Sequence, residues 1–501
     1  MKTEFDLSKT NTPAISTNIY KVLFLSLVSL VVSALLMTDL SAERFIGGAL
    51  ISFVLLFILY RDIMRYKPAY VSNYNMLILL GLMIIGTMVI GRTFGYLLEN
   101  LSKGLGLPFT DISQYGIPIA TGAMFAALLF DFHTAIIFSF TISLLTGFWL
   151  QDPHYPVYTF VGSLTAAFSV IRCKKRSALL RGGFYIIIAN IILVLILLLA
   201  QGELFIDRAG YAVIFAIFSG MSVSAIVSLL LPLLEYLFKI TTDISLLELL
   251  DLNQPLMKTL MITAPGTYHH SVIVGNLVEA AAEEVGVNPL LARVSSYYHD
   301  IGKIKMPEYF VENQSMAPSK HDKLTPHMSS MIITNHVKEG VDLAKQHKLP
   351  QTIIDIIRQH HGNALITYFY QKAKDLGHEN SIPIDEYKYP GPKPQTRVAA
   401  LVMMADAVEA SSRVLNDPTP ARISALVDKI INHIFLDGQL DECELTLKDI
   451  SEIKKRFTYI LTGIFHKRID YPGFDFRDEN IHKEPSKGDR SKPEEVGKGA
   501  H

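Results

Sequence analysis

Cysteine is almost absent. Cys173 and Cys443 are the two in the chain, 270 positions apart, and neither sits in a CxxC pair. That excludes a disulfide framework and a cysteine-based zinc site, and leaves two reduced thiols with no evident role. Net charge is also missing. Forty-six basic side chains face 47 acidic ones, a balance of −1, so no overall field favours a nucleic-acid polymer. Alternating strand patterns are absent too, which argues against a sheet.

What the chain has in excess is apolar residues. Half of it is hydrophobic, and mean hydropathy is positive, high for a soluble protein. The excess is uneven. Residues 19–238 are dominated by Leu, Ile, Val, Phe and Ala, 240–470 read as an ordinary globular domain, and 471–501 are polar.

Eight apolar runs approach bilayer-spanning length: 19–38, 45–60, 74–91, 116–130, 133–150, 157–171, 184–200 and 210–238. The second, fourth and sixth are short. Loop charge orients them. Basic residues gather at Arg61, Arg65 and Lys67, at Arg172, Lys174, Lys175, Arg176 and Arg181, and at Lys2, Lys9 and Lys21. The alternate loops carry few, so both termini are expected on the cytosolic side of a cell membrane. Trp149, Tyr155 and Tyr158 flank an outer loop, as an aromatic belt would. Charge within the runs is sparse: Asp131, His133 and Arg92 all fall near run ends, as boundary residues do. That scarcity weakens a transporter reading.

The expected division is a cytosolic segment 1–18, a multispan domain 19–238 of about eight helices and a linker helix 239–262. A helical soluble domain 263–470 and a disordered tail 471–501 follow. The fold class is all-α. Thr242 or Asp243 is placed to cap a helix as the chain leaves the membrane. Apolar periodicity predicts helices near 267–285, 289–301, 326–347, 351–361, 363–376, 395–413, 420–435 and 447–468. The proline-rich stretch 377–394 is expected as a loop.

Polar residues on the buried faces of these helices carry the chemistry. His270 shares a stripe with Ile273, Val274, Leu277 and Ala281, whereas His269 aligns with Asn276. His299 follows Ala292, Ser295 and Ser296, small residues that leave room for an imidazole. His336 follows Ile332 and Ile333, and His360 and His361 follow Ile357. Asp406 follows Val402 and Met403. One inward histidine is usually a satisfied core residue. Five of them with inward Asp300 and Asp406 are different, because a buried carboxylate needs a compensating charge that neutral imidazoles cannot give. Divalent cations can, and histidine is their commonest protein ligand. The number suits two metals, an arrangement that activates water against a phosphodiester.

His299-Asp300-Ile301-Gly302 in this pattern resembles the HD-domain phosphohydrolases. The closer resemblance is to the PgpH-type membrane HD proteins, the cyclic di-AMP phosphodiesterases. It rests on Ile240-Thr241-Thr242-Asp243, Asp251-Leu252-Asn253, Ala264-Pro265-Gly266-Thr267-Tyr268-His269-His270-Ser271 and Val274-Gly275-Asn276-Leu277. It rests further on Tyr298-His299-Asp300-Ile301-Gly302-Lys303, Pro307-Glu308-Tyr309-Phe310-Val311-Glu312-Asn313-Gln314, His336-Val337-Lys338-Glu339-Gly340 and Tyr389-Pro390-Gly391-Pro392-Lys393-Pro394. Together these span most of 240–415.

The resemblance implies one metal on His270, His299, Asp300 and Asp406. It implies a second on His336, His360 and His361, with Asp300 bridging and acting in catalysis and Lys303 facing a substrate phosphate. It implies hydrolysis of cyclic di-AMP to linear pApA, with iron or manganese favoured and zinc, nickel or cobalt also compatible. The implied partners are a cyclic dinucleotide and the lipid bilayer, and a homodimer is left open. Two departures stand out. Residues 39–44 leave no room for the large extracellular domain many members carry between the first two spans. The Gly-Tyr-Pro that follows the His-His pair in cyclic di-GMP enzymes is replaced by Gly362-Asn363-Ala364. The rival readings are an HD phosphohydrolase acting on another nucleotide, and a membrane signalling protein whose HD domain binds without cutting.

Overall fold

In a bilayer the backbone must satisfy its own hydrogen bonds, so long apolar runs become helices. The computed structural model of the chain describes residues 14–37, 41–107, 111–171, 173, 175–204, 208–314, 319–376 and 383–465. Its first half holds α1 (Ala14–Leu36), α2 (Ala42–Tyr66), a short α3 (Pro68–Ser72), α4 (Tyr74–Gly104), α5 (Ala120–Leu129), α6 (Phe132–Leu150), α7 (Tyr155–Val170), α8 (Ser177–Gln201) and α9 (Arg208–Phe238). Among the described residues, seven segments are long and apolar enough to cross a membrane, Asp111–Leu129 counting as one. The remaining expected run, the sixth (157–171), forms α7, which has 16 residues. At a rise of 1.5 Å per residue that is roughly 24 Å, short of a ~30 Å hydrocarbon core.

The run expected at 116–130 is not one continuous helix. A 3₁₀ turn, Asp111–Gly116, precedes α5, and Ile117-Pro118-Ile119 separates them. Pro118 has no N–H to give a helix and cannot extend α5 backwards. The carbonyls this break frees are met from neighbouring helices. Tyr155 Oη donates to Gln114 O at 2.9 Å, Tyr158 Oη to Tyr115 O at 2.6 Å and Ser219 Oγ to Ile117 O at 3.2 Å. The aromatic-belt expectation therefore needs correcting: Tyr155 and Tyr158 are buried inside the bundle, where their hydroxyls serve irregular backbone. Trp149 is buried as well, against Arg92, whose guanidinium lies 5.4 Å from its ring centre. Asp131 caps α6 through Thr134 N and pairs with Lys67, and His133 lies 2.8 Å from Asp62.

The linker forms two helices rather than one, α10 (Asp243–Leu249) and α11 (Pro255–Thr263). Pro255 starts the second, in the first turn where its missing N–H costs nothing. Thr242 is the cap of α10, accepting from Ser245 N. Arg176, in the turn before α8, ties α10 to the bundle: it pairs with Glu248 at 2.7 Å and with Glu235 at 3.6 Å. On its other side α10 meets the soluble half, where Tyr298 Oη donates to Leu249 O at 2.8 Å.

That half continues with α12 (Pro265–Val285), α13 (Pro289–Tyr298), α14 (Pro326–Gln346), α15 (Gln351–Gln359), α16 (Thr367–Asp375), α17 (Arg397–Ser412), α18 (Pro420–Leu436) and α19 (Leu447–Ile464). No strand forms among the described residues; a lone bridge joins Leu365 to Lys388. Helix α12 is central and packs on α17 and α19; its Val274, Leu277 and Ala281 share one buried cluster with Leu401 and Val402 of α17 and Ile453 and Phe457 of α19. The expected helix 363–376 begins later, at Thr367, because Gly362 takes a left-handed φ of 53° and the following turn bonds across to the 387–389 strip. The tail expected to be disordered lies outside the described residues from 466 onward.

One glycine sets the site's geometry. A Cβ on Gly302 would sit 1.8 Å from His336 O and 2.6 Å from Gly340 N. Only glycine lets the turn after Asp300 lie directly on α14, and that contact brings Asp300 to His336.

Candidate metal centre

Helix phase delivers the first ligand candidate. His270, one turn into α12, is buried, while neighbouring His269 is exposed. His299 and Asp300 follow the last residue of α13, where the helix yields to the 3₁₀ turn Ile301–Lys305. His336 lies mid-way along α14, His360 and His361 just past α15, and Asp406 within α17.

These seven side chains meet in one place. Asp300, 1% exposed, is at the middle. Its Oδ1 lies 3.3 Å from His336 Nε2 and 3.7 Å from His360 Nε2. Its Oδ2 lies 3.4 Å from His299 Nε2 and 3.7 Å from His270 Nε2. Asp406 reaches His270 at 3.0 Å and His299 at 3.8 Å through Oδ1, and His361 Nδ1 at 3.5 Å through Oδ2. Two groups result, His270 with His299, Asp300 and Asp406, and His336 with His360, His361 and Asp300. In each, one ligand atom per residue lies within 4.8 Å of the others.

The rings are oriented from behind. Nδ1–H of His299 donates to Ser296 O at 2.7 Å, that of His336 to Ile333 O at 2.5 Å and that of His360 to Ile357 O at 2.7 Å. Each bond leaves the Nε2 lone pair aimed inward, the tautomer a metal requires. His361 differs, stacking on Tyr389 with ring centres 4.1 Å apart and turning Nδ1 toward Asp406.

Electrostatics keeps the set in a ligating state. Burial pushes the Asp300 carboxyl up, but Lys303, His299 and His336 outweigh it and hold it well below the usual range. Asp406 is likewise held low, its burial overcome by His270 and His299. Burial lowers His336 and His360, and takes His361 to about 3. Ionised carboxylates beside neutral imidazoles are what divalent cations bind. His270 is the exception. Burial opposes its charge, yet Asp406 and Glu409 raise it to about 10, so a cation there would take a proton's place.

The donor set fits such cations by a second criterion. Nε2 of His270 and of His299 and both Asp300 oxygens are buried with no aligned hydrogen bond. Polar atoms that converge across a few ångströms with ion pairs to Lys303 and Asp406 but no aligned hydrogen bond are costly to bury, and a cation would join them.

Lys303, its side chain 13% exposed, lies beside the groups. Its Nζ lies 2.6 Å from Asp300 Oδ2 and 2.8 Å from Glu312 Oε1, and 5.0 Å from the Phe310 ring centre. Burial disfavours its charge, but Asp300 and Glu312 outweigh that and keep it protonated. Glu312 also accepts from Thr267 Oγ1, and Asn313 Oδ1 from Thr267 N, locking this segment onto the start of α12.

Sequence reasoning gave no role to Glu409, Glu312 or Tyr389. Glu409 had a signal: it sits three residues after Asp406, an unexpected second carboxylate on the inward stripe of α17. Glu312 and Tyr389 lie on irregular segments, where periodicity says nothing.

The chain resembles known proteins in both halves. Residues 42–242 match the family described as 7TM receptor with intracellular HD hydrolase, and residues 267–411 match the HD domain. The cyclic-di-AMP phosphodiesterase PgpH of Bacillus subtilis is 40% identical over 366 residues, 72% of this chain and 51% of that protein. Its counterpart in Listeria monocytogenes is 41% identical over 342 residues, 68% of this chain and 47% of that one. The chain thus spans about half the length of the curated relatives it matches. The crystal structure of the L. monocytogenes PgpH HD domain is 47% identical, covered in full by 43% of this chain, with a TM-score of 0.41. With a multispan module ahead of an HD domain in one helical chain, this multi-pass membrane protein belongs to the PgpH-type family of membrane HD-domain proteins.

Proposed function

We propose that the chain is a membrane-anchored, metal-dependent phosphodiesterase that opens a cyclic dinucleotide, cyclic di-AMP first, to the linear form pApA. One observation carries this: two histidine-rich groups from separate helices share a single buried carboxylate, Asp300. The group His270, His299, Asp300 and Asp406 would hold one divalent cation, and His336, His360 and His361 with Asp300 a second. Such a pair supplies a low-pKa water and neutralises charge on phosphate oxygens. Iron or manganese suits nitrogen-rich ligation with carboxylates. Asp300 is the shared ligand. Lys303, kept charged by Asp300 and Glu312, faces a non-bridging phosphate oxygen and loses little by reorientation when negative charge grows there. No protein nucleophile is needed.

Cyclic di-AMP is favoured because two relatives named for that activity are 40% and 41% identical to the chain over about half of their own length. It is favoured also because Gly362-Asn363-Ala364 replaces the Gly-Tyr-Pro of cyclic di-GMP enzymes. We place the HD half, about residues 263–470, in the cytosol. It is joined by the segment 239–262 to spans within 19–238, with the N-terminal residues on the same side. The basic residues around Arg61–Lys67 and Arg172–Arg181 support that orientation.

The test is to incubate detergent-solubilised full-length protein with Mn²⁺ or Fe²⁺ and cyclic di-AMP and to separate products by chromatography. Linear pApA is expected. Loaded protein that binds the dinucleotide but leaves it uncut over hours would replace this reading with a binding module. Turnover of another nucleotide alone would change the substrate class.

A further inference from the structure

Resting on that reading of the metal centre, we propose that Glu409 is a positioning residue that makes the two metal sites unequal. It fixes the ring and tautomer of His270 from behind and strengthens the hold of the His270–His299–Asp300–Asp406 site on its cation, with Arg413 setting its orientation.

The contrast among the imidazoles carries the argument. His299, His336 and His360 each give Nδ1–H to a carbonyl three residues earlier. Those acceptors are neutral, and each belongs to the histidine's own stretch of backbone. His270 instead gives its Nδ1–H to a carboxylate that is not itself a candidate ligand, and to one on another helix: Glu409 Oε2 of α17, at 2.5 Å. A carboxylate behind an imidazole makes the opposite nitrogen a stronger donor than an amide carbonyl does.

Glu409 is 2% exposed, and it belongs to neither group of candidate ligands. Its Oε2 is engaged by His270, so it is not itself a ligand. Its Oε1 accepts from Arg413 Nε at 2.7 Å and pairs with Arg413 Nη2 at 2.6 Å, one helical turn on. Arg413 is partly exposed and holds Glu409 from the solvent side. A buried carboxylate needs such partners on both oxygens, and here they form one line from the surface to His270 Nε2. Asp406, a candidate ligand, and Glu409 stand three residues apart on α17. The same helix thus supplies the site and its support, and among the described residues the groups behind His336 and His360 on Nδ1 are backbone carbonyls.

The experiment uses metal-stripped, detergent-solubilised full-length protein titrated with Mn²⁺, free ion being read by electron paramagnetic resonance. Wild type is expected to take up two ions. In Glu409→Gln, one site should weaken by about 10- to 100-fold while the other keeps its affinity, in stripped protein that still melts in one cooperative transition. A uniform loss at both sites, or two sites of wild-type affinity, would overturn the proposal. Should Glu409→Gln not fold, Arg413→Met leaves Glu409 in place. It should move one site by at least about threefold and spare the other; no change at either refutes the role. A wild type that takes up no Mn²⁺ overturns both this inference and the reading beneath it.

Discussion

Replacing Asp300 with Asn keeps the size of the side chain and removes the charge that both ligand groups share. The expected result is loss of metal-linked stability rather than loss of fold. Lys303 still has Glu312 at 2.8 Å, so its ammonium keeps a partner. A ligand that binds only the folded state stabilises it by RT ln(1 + [L]/Kd), about 2.7 kcal/mol at a hundredfold excess over Kd. Two sites at that excess give about 5 kcal/mol. A domain of roughly 150–250 residues shifts its midpoint by about 2–4 °C per kcal/mol. Adding Mn²⁺ to stripped wild type should therefore raise the midpoint of the HD half by about 10–20 °C. Asp300→Asn should lose most of that shift, because each group keeps only its other members. The molecule provides a reporter. Cys173 is buried in the membrane half and Cys443 is half-buried in the HD half. A Cys173→Ser background leaves Cys443 as the single thiol for a thiol-reactive fluorophore during a thermal ramp. If Asp300→Asn retained the full metal-induced shift, Asp300 would not be the shared ligand and the two-cation arrangement would fall.

Other expectations can be checked with the same protein. Gly302→Ala places a methyl 1.8 Å from His336 O, so it should cost about 3 kcal/mol or more and impair metal uptake, both visible in the Cys443 ramp. Lys303→Met should lower turnover of cyclic di-AMP by about 100-fold or more with metal content retained, since it removes charge stabilisation and no ligand; equal loss of metal would reassign it. Asp449 closes a capping box with Thr446 at the start of α19. Its burial would raise the carboxyl, but bonds from Thr446 lower it below 3.8. A group depressed in the folded state contributes stability above its unfolded pKa and loses it as pH falls through the folded value. Asp449→Asn should thus melt below wild type at pH 7, by about 1 kcal/mol, and the gap should close as pH drops below 3.8. Exchanging the charges of Arg176 and Glu248 together should restore part of the stability that either reversal alone removes, the contact of residue 176 with Glu235 staying lost, read as a double-mutant cycle on the midpoint.

Local periodicity determined much of this protein without help from the fold. The apolar runs marked the membrane half because spanning length is a property of composition. Helix phase chose His270 over His269 and turned His336, His360 and Asp406 inward because side-chain direction repeats every 3.6 residues. Tertiary structure decided the rest. The break at Pro118 went unread in the apolar run 116–130, and only packing showed Tyr155 and Tyr158 satisfying the freed carbonyls, which moved them from an expected lipid belt into the bundle. Phase said which side of a helix faces the core, never which residues on other helices it meets. That Asp300 stands between two groups depends on Gly302 touching α14, and that Glu409 backs His270 depends on α17 crossing α12. Such contacts join residues far apart in the chain, and no local pattern encodes the distance between them.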